Sequence, residues 1–526
     1  MITYAYAALA PIQGADLIDA QLSRAHRYKN ILIEIENARR VASPPAADDE
    51  TKETARELAN AAIRLERSRC GLYWGTYLLV EESVSQAART APPGPLAFAR
   101  WTGPVGLIGV QIQGGDCDLL TDTRLRLIGC GERVPSADPE AKLGPNPGRL
   151  RHVWLRVGSD DRAPIWAVVP IVYHRPLPDG PIKWARLHVG RTGATRTYSV
   201  QFVIDAAPRA LPPPTPHSVA IDVGWRKMES GVRVAVWMDT AGGGGELRIP
   251  QRLLDRWAKV QDLESIRDKN YNGALEWLLA HREAGSWPEW LTRATEHAHA
   301  WRSQERLASL VWRWKDQRFD GDSDCYETLE AWRKQDKHLL QWAAHQRANV
   351  LLARREIYRL FACSVARYSR VVIEDLDLRD FAELPDVPDD PRTAAARGRR
   401  FLAALSTLRE AVVYAVRRAG GEVHDANPAG TTRTCHLCGF VGTWDAAEKI
   451  EHTCSGCGLQ WDQDVNAAEN LLRALQCGET KPIRSRTRHE EKTGERAVDA
   501  RRRKGLATRR AKRSRETAQE TGLTTE

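Results

Sequence analysis

The pair Cys435-His-Leu-Cys438-Gly439, its echo Cys454-Ser-Gly-Cys457-Gly458, and the run Trp461-Asp462-Gln463-Asp464-Val465-Asn466-Ala467-Ala468-Glu469-Asn470 lie within one short segment near the C-terminal end of the chain. Two CxxC pairs separated by fifteen residues have the spacing of a tetrahedral Zn²⁺ site. Each pair makes a tight knuckle with both sulfurs facing one point, and the glycine after each pair permits the turn. Buried or disulfide-bonded cysteines are the alternative, which the paired spacing disfavours. With Cys435, Cys438, Cys454 and Cys457 all serving as thiolates, no position stays open for water, so a structural zinc is expected. The acidic run follows within a few residues, which makes finger and carboxylates one local unit.

Working outward, Asp464 to Leu475 reads as a closing helix. Upstream, Gly421-Glu-Val-His starts a strand toward the knuckles, and a basic helix spans Arg397 to Arg418. Arg370-Val-Val-Ile-Glu374-Asp375-Leu-Asp377 reads as a buried strand ending in acid, followed by a Pro/Asp loop from Pro385 to Pro391. Ser218-Val-Ala-Ile-Asp222-Val-Gly224 reads as another strand ending in acid, with Arg233-Val-Ala-Val-Trp-Met as its hairpin partner. Between them, residues 250–365 are helical and rich in tryptophan, including Trp277, Trp301, Trp312, Trp314, Trp332 and Trp342. Aromatics at helical spacing read as core rather than as a base-stacking platform.

Three acids, Asp222, Glu374 and Asp464, thus sit at strand ends or a helix start in an α/β pattern. One such acid is an ordinary solvated cap. Three suggest carboxylates gathered at one edge of a sheet, where hard cations such as Mg²⁺ are held by oxygen ligands and serve phosphodiester hydrolysis.

Nearer the N-terminus, residues 2–9 alternate as a short strand. Ala15 to Arg89 shows helical periodicity broken at Pro44-Pro45, where Asp48 or Asp49 caps the next helix. Residues 97–205 read as short strands split by Gly, Pro and Asp, the pattern of an antiparallel barrel. Leu211-Pro-Pro-Pro-Thr-Pro216 is a stiff linker.

At 526 residues the chain is too long for one core. From Ile483 to Glu526 there are fourteen Lys/Arg against seven Asp/Glu, so this segment carries +7 of the net +9 and the rest of the chain only +2. A basic nucleic-acid channel, if present, must come from local segregation of charge rather than from a globally basic body. The tail has no aromatic residue and reads as disordered. Cys70, Cys117, Cys130, Cys325, Cys363 and Cys477 follow no framework spacing, which suits a reducing compartment. Without a basic leader or a run of eighteen apolar residues, a cytoplasmic protein is expected.

Ile221-Asp-Val-Gly, Val372-Ile-Glu-Asp-Leu and the finger followed by Asp462-Gln-Asp-Val-Asn-Ala-Ala-Glu-Asn resemble the three split motifs of a RuvC-like nuclease with an embedded zinc finger. Their order is similar to that of transposon-encoded RNA-guided nucleases and their descendants, the miniature type V CRISPR effectors. The resemblance is specific over residues 218–475 and consistent upstream. Gly71-Leu-Tyr-Trp74, Gly109-Val-Gln-Ile-Gln113, Ile221 to Arg226 and Ile266-Arg-Asp-Lys269 resemble a miniature subgroup that binds target DNA tightly with little or no cleavage.

The resemblance implies a multidomain α+β fold. A first wedge strand (1–14), a helical recognition lobe (15–92), an antiparallel β-barrel wedge domain (93–210) and the linker (211–216) precede an RNase H/RuvC-like α/β domain (217–430). That domain carries a helical insertion at about 250–330 and is followed by the zinc finger (431–460), the last RuvC motif and helix (461–482) and the basic tail (483–526). It also implies a guide RNA and double-stranded target DNA as partners, with sequence read by base pairing and a short flanking motif read by protein. Asp222 would bridge two Mg²⁺ ions, with Glu374 and Asp464 each completing one shell. Arg433 is a candidate phosphate contact or a structural residue. The chain departs from the wider family at Gln463, where Arg is common.

Four functions follow as alternatives. The first is an RNA-guided Mg²⁺-dependent endonuclease. The second is an RNA-guided DNA-binding effector that silences by occupancy, using the acidic site on guide precursor RNA. A transposon-encoded nuclease and a guide-free junction-resolving nuclease are the others.

Overall fold

The computed structural model describes residues 1–92, 94–112, 117–129, 150–161, 163–207, 211–284, 287–375, 398–443 and 449–483. They form two compact units. The basic tail beyond Ile483, the Pro/Asp loop, Asp377, Cys130 and Arg397 lie outside the described residues.

The first unit opens with strand β1 (Ile2–Ala8) and three helices, α1 (Ala15–Ala42), α2 (Asp49–Arg69) and α3 (Trp74–Thr90). Of the two candidate caps, Asp48 starts α2, its carboxylate accepting from the Thr51 N–H at 2.7 Å. Six further strands follow: β2 (Gly106–Gln111), β3 (Leu125–Gly129), β4 (Leu150–Asp160), β5 (Ala163–Val172), β6 (Ile182–Thr192) and β7 (Thr195–Ile204). With β1 they make a seven-stranded sheet in the order β2-β6-β7-β1-β5-β4-β3.

The expected barrel is corrected here. β2 and β3 stand at opposite ends of the order with no ladder between them among the described residues, so the sheet is open. A helix does the covering instead. Ile18 and Leu22 of α1 are buried in one cluster with Tyr6, Ile108, Val153, Leu187 and Phe202 from the strands. An apolar sheet face covered by a helix has no need to close on itself.

The second unit holds a six-stranded mixed sheet, its strands hydrogen-bonded in the order Gly244–Pro250, Gly231–Asp239, Thr215–Met228, Tyr368–Glu374, Glu422–Ala426 and Lys481–Pro482. β8 (Thr215–Met228), β9 (Gly231–Asp239) and β10 (Gly244–Pro250) form an antiparallel meander. β11 (Tyr368–Glu374) pairs parallel with β8, and β12 (Glu422–Ala426) parallel with β11. β8 thus begins at Thr215, inside the Pro-rich stretch.

Helices fill the interval between β10 and β11: α4 (Gln251–Ala284), α5 (Glu289–Ala294), α6 (Gln304–Trp314) and α7 (Ser323–Val365). Helical structure runs to Val365, as the reading of residues 250–365 from sequence expected. Trp301, Trp314 and Trp332 are buried in its core, whereas Trp277, Trp312 and Trp342 are exposed. Helix α8 (Leu405–Arg418) precedes β12. The finger carries β13 (Glu451–Thr453) and β14 (Gln460–Asp462), α9 (Gln463–Gln476) closes the unit, and β15 (Lys481–Pro482) adds an edge. No helix among the described residues is long and apolar enough to cross a membrane.

Strand alternation decides what this sheet presents on each face. Val219 and Ile221 of β8, with Val371 and Ile373 of β11, pack against Phe361 of α7 and Leu408 of α8. Ala220 and Val372 face the other way, against Leu471, Leu472 and Leu475 of α9. Asp222 and Glu374 are the next residues in that second phase. Both carboxylates therefore lie on the face that α9 covers.

Candidate functional site

Asp222 is not at a strand end, as the sequence had suggested, because β8 runs on to Met228. What ends there is a ladder: the paired residues of β8 and β11 stop at Ile221 and Ile373. Beyond that point the two strands diverge, and β8 continues only as half of a hairpin with β9. Glu374 does end its strand. The gap opened by the divergence receives the N-terminus of α9, whose first turn carries Asp464. Asp462 caps that helix, accepting from the Asp464 N–H at 2.9 Å. Sequence positions far apart are thus brought to one place, and all three acids are buried.

The cavity they line, about 240 Å³, is completed by Gly224, Arg226, Arg233, Pro428 and Thr431. Burial raises the Asp222 carboxyl well above its ordinary range, and the charge of Glu374 and a shared hydrogen bond with it push the same way. Burial also raises Glu374, to about 6, against the opposing hydrogen bonds from Asp222 and the Val223 N–H. Asp464 is raised by burial, while Arg226 and Arg233 pull it back. Carboxylates crowded in a buried site resist ionising together, and a hard cation with oxygen preference suits such a donor set.

Sequence reasoning missed two arginines. Arg233 donates to Asp462 Oδ2 at 2.7 Å and Asp464 Oδ2 at 3.1 Å, and its Nε donates to Glu246 at 2.8 Å. The Arg226 Nε lies 3.5 Å from Asp464 Oδ2. The two are cross-strand partners on β8 and β9, brought opposite by a register shift between Val223 and Arg226. No linear spacing announces such a pair. Arg433 is exposed, two residues from Thr431, and its side chain does not line the cavity. Gln463 is buried, with its amide oxygen 3.3 Å from His452 Nε2.

The four cysteines come together as expected. Their sulfurs all lie within 4.8 Å of one another, with Cys435–Cys457 at 3.8 Å and Cys438–Cys454 at 3.5 Å. Zn–S bonds of about 2.3 Å in a tetrahedron place sulfurs about 3.8 Å apart, so the set fits a zinc ion. The knuckles are built alike. The Cys435 N–H reaches the Phe440 carbonyl at 2.9 Å, and the Cys454 N–H the Leu459 carbonyl at 2.8 Å. Gly439 and Gly458 take φ values of 77° and 76°, a left-handed turn that favours glycine.

Asn466 and Asn470 of α9 fasten this finger to the acidic site. Each side-chain amide donates to the carbonyls of both Thr431 and Thr434 at 2.7–3.0 Å. Four side-chain-to-backbone hydrogen bonds thus tie the start of the finger to the acid-bearing helix.

Residues 406–471, which run from α8 through the finger to α9, match the family described as Cas12f1-like, TNB domain. The chain is a miniature type V CRISPR effector. It is 37% identical over 440 residues to the CRISPR-associated DNA-binding protein Cas12m of Allomeiothermus silvanus, covering 81% of this chain and 79% of that one. With the Cas12m of Thermanaerosceptrum fracticalcis it shares 34% over 427 residues, 78% of this chain and 71% of that one. The chain belongs to the Cas12m family. A solved Cas12f1–sgRNA–target DNA complex matches 86% of this chain and 81% of its own at 12% identity, with a TM-score of 0.43.

Proposed function

We propose that this protein is an RNA-guided effector that targets double-stranded DNA, and that its acidic cavity is a RuvC-like, Mg²⁺-dependent endonuclease site. Family membership supports the first half, since relatives are named CRISPR-associated DNA-binding proteins. One observation carries the second: Asp222, Glu374 and Asp464, from two strands and a helix, are buried around one cavity.

Asp222 and Glu374 would hold Mg²⁺, with Asp464 completing the donor set. When bound, the ion lowers the pKa of water and stabilises the departing oxygen of a phosphodiester. The residues themselves supply buried carboxylate oxygens, and Thr431 and Thr432 line the same cavity. The finger would shape the side of the cleft on which a strand is loaded, because Asn466 and Asn470 fix it to α9. Guide and target would be gripped through backbone charge and helix shape, with base pairing supplying the specificity.

A second reading is favoured by the arginines on Asp464: binding and silencing by occupancy, with the acidic site confined to guide precursor RNA. Protein copurified with its RNA and incubated with matched duplex in Mg²⁺, beside Asp464→Ala, separates the two. DNA cut by the native protein and intact with the variant establishes the nuclease. A tight guide-dependent complex with uncut DNA in both establishes occupancy.

A further inference from the structure

We propose that α7 carries a nucleotide-stacking site, in which Trp342 takes the flat face of one unpaired nucleobase and Lys259 of α4 takes its phosphate. This rests on the nucleic-acid reading above and goes beyond it, since that reading gives the tryptophan-rich helices no part in binding.

Aromatics at helical spacing were expected in the core, and Trp314 and Trp332 are there. Trp342 is not: it stands 38% exposed. The helix beneath it is firmly seated, with Asp336 accepting two hydrogen bonds from Arg267 of α4 at 2.8 and 3.0 Å. Together with His338, Gln341 and His345, Trp342 lines a hollow of about 460 Å³. Spaced at i, i+3, i+4 and i+7, these four share one face of α7. The Lys259 Nζ lies over the Trp342 ring, 4.5 Å from its centre.

Three classes of ligand compete for such a hollow. A metal ion does not fit, because imidazoles seven residues apart stand roughly 10 Å apart along the helix axis. An apolar side chain of a protein partner would strip water from an ammonium and two imidazoles without replacing their hydrogen bonds. A nucleotide satisfies them all. Its base lies on the indole, the base edge meets imidazole and amide, and the flexible stem of Lys259 turns the ammonium from the ring to the phosphate.

The local charge agrees. From Lys337 to Arg355, about five turns, α7 carries no Asp or Glu to repel a phosphate. Asp255 and Asp262 stand about one turn from Lys259 on α4. Among the described residues Lys259 nevertheless makes no salt bridge, so its charge is open to a phosphate.

The test is ultraviolet crosslinking of the full-length protein copurified with its RNA, alone and with matched target duplex. Mass spectrometry then reads the peptides left after nuclease and protease digestion. A nucleotide adduct is expected on the peptide that carries His338 to His345. A ribonucleotide mass assigns the base to the guide; a deoxyribonucleotide mass, present only with duplex, assigns it to the target. Trp342→Leu is expected to lose this adduct while others persist, and to bind the strand so identified at least about fivefold more weakly. Trp342→Phe is expected to keep both adduct and affinity. Lys259→Gln should keep the adduct and lower the salt dependence of binding by about one phosphate contact. An unchanged salt slope overturns the phosphate role of Lys259. Adducts confined to other peptides, an adduct here that survives Trp342→Leu, or native affinity in that variant overturn the stacking site and leave RNA-guided targeting standing. A protein that carries no RNA and yields no adduct on any peptide overturns both.

Discussion

The buried amide of Asn466 holds the backbone of His436: its Oδ1 accepts the His436 N–H at 2.9 Å. The same side chain donates to the carbonyls of Thr431 and Thr434. Helix α9, which carries Asp464, is thereby bonded to the first knuckle through the peptide groups themselves. Asn466→Ala leaves buried peptide groups short of a partner and is expected to cost about 2 kcal/mol of stability. Urea denaturation measures it, with zinc content expected to stay at one per chain. Unchanged stability would mean that metal coordination alone secures the finger.

Cys435→Ser attacks the same assembly from the other side. Cys435 is fully buried, and the sulfurs of the set are spaced for one ion. A serine hydroxyl is a poor replacement for thiolate, so zinc per chain should fall well below that of the native protein. Atomic absorption on the purified variant decides it, and full zinc occupancy would remove Cys435 from the ligand set.

These contacts also mark how far the sequence could be read. Cysteine spacing is a local property, so the four-cysteine cluster was legible. Glu374 and Asp464 were legible because each lies where an apolar run changes character. Asp222 was found for an incomplete reason: β8 does not stop at it, and only the ladder with β11 does. The barrel was misread because strand patterns do not show whether a sheet closes or is covered, and here α1 supplies the cover. Arg226 and Arg233 were invisible, since a bulge sets their pairing. Asn466 and Asn470 stood in plain view, but their partners are backbone carbonyls some thirty residues upstream.

A close backbone approach in the first unit gives an independent check on packing. A Cβ on Gly75 of α3 would fall 2.3 Å from the Gly109 carbonyl oxygen of β2. Thr76 Oγ1 accepts the Gly109 N–H at 3.2 Å across the same contact. Gly75→Ala must push helix and strand apart and is expected to cost about 1–3 kcal/mol. Calorimetric melting of the variant tests this, and a melting temperature equal to the native one would refute the close approach.

Asp322 sets a pH-dependent stability within the tryptophan-rich helices. Burial alone would raise its carboxyl, but hydrogen bonds from Arg318, the Phe319 N–H and Trp314 Nε1 outweigh burial and hold it below the usual value. The Trp314 bond is 2.8 Å and the Arg318 Nη2 bond 2.8 Å, at the foot of α7. A depressed carboxylate stabilises the fold above its unfolded value of about 3.9 and loses that contribution as pH falls through the folded value. Asp322→Asn should therefore be destabilised by about 2 kcal/mol at pH 7, where the charged hydrogen bonds are complete. The gap between variant and native protein should narrow as the pH is lowered toward 3. Urea titrations of both proteins at a series of pH values measure it. A gap that stays constant would mean that the Asp322 charge contributes nothing and that the Trp314 hydrogen bond alone matters.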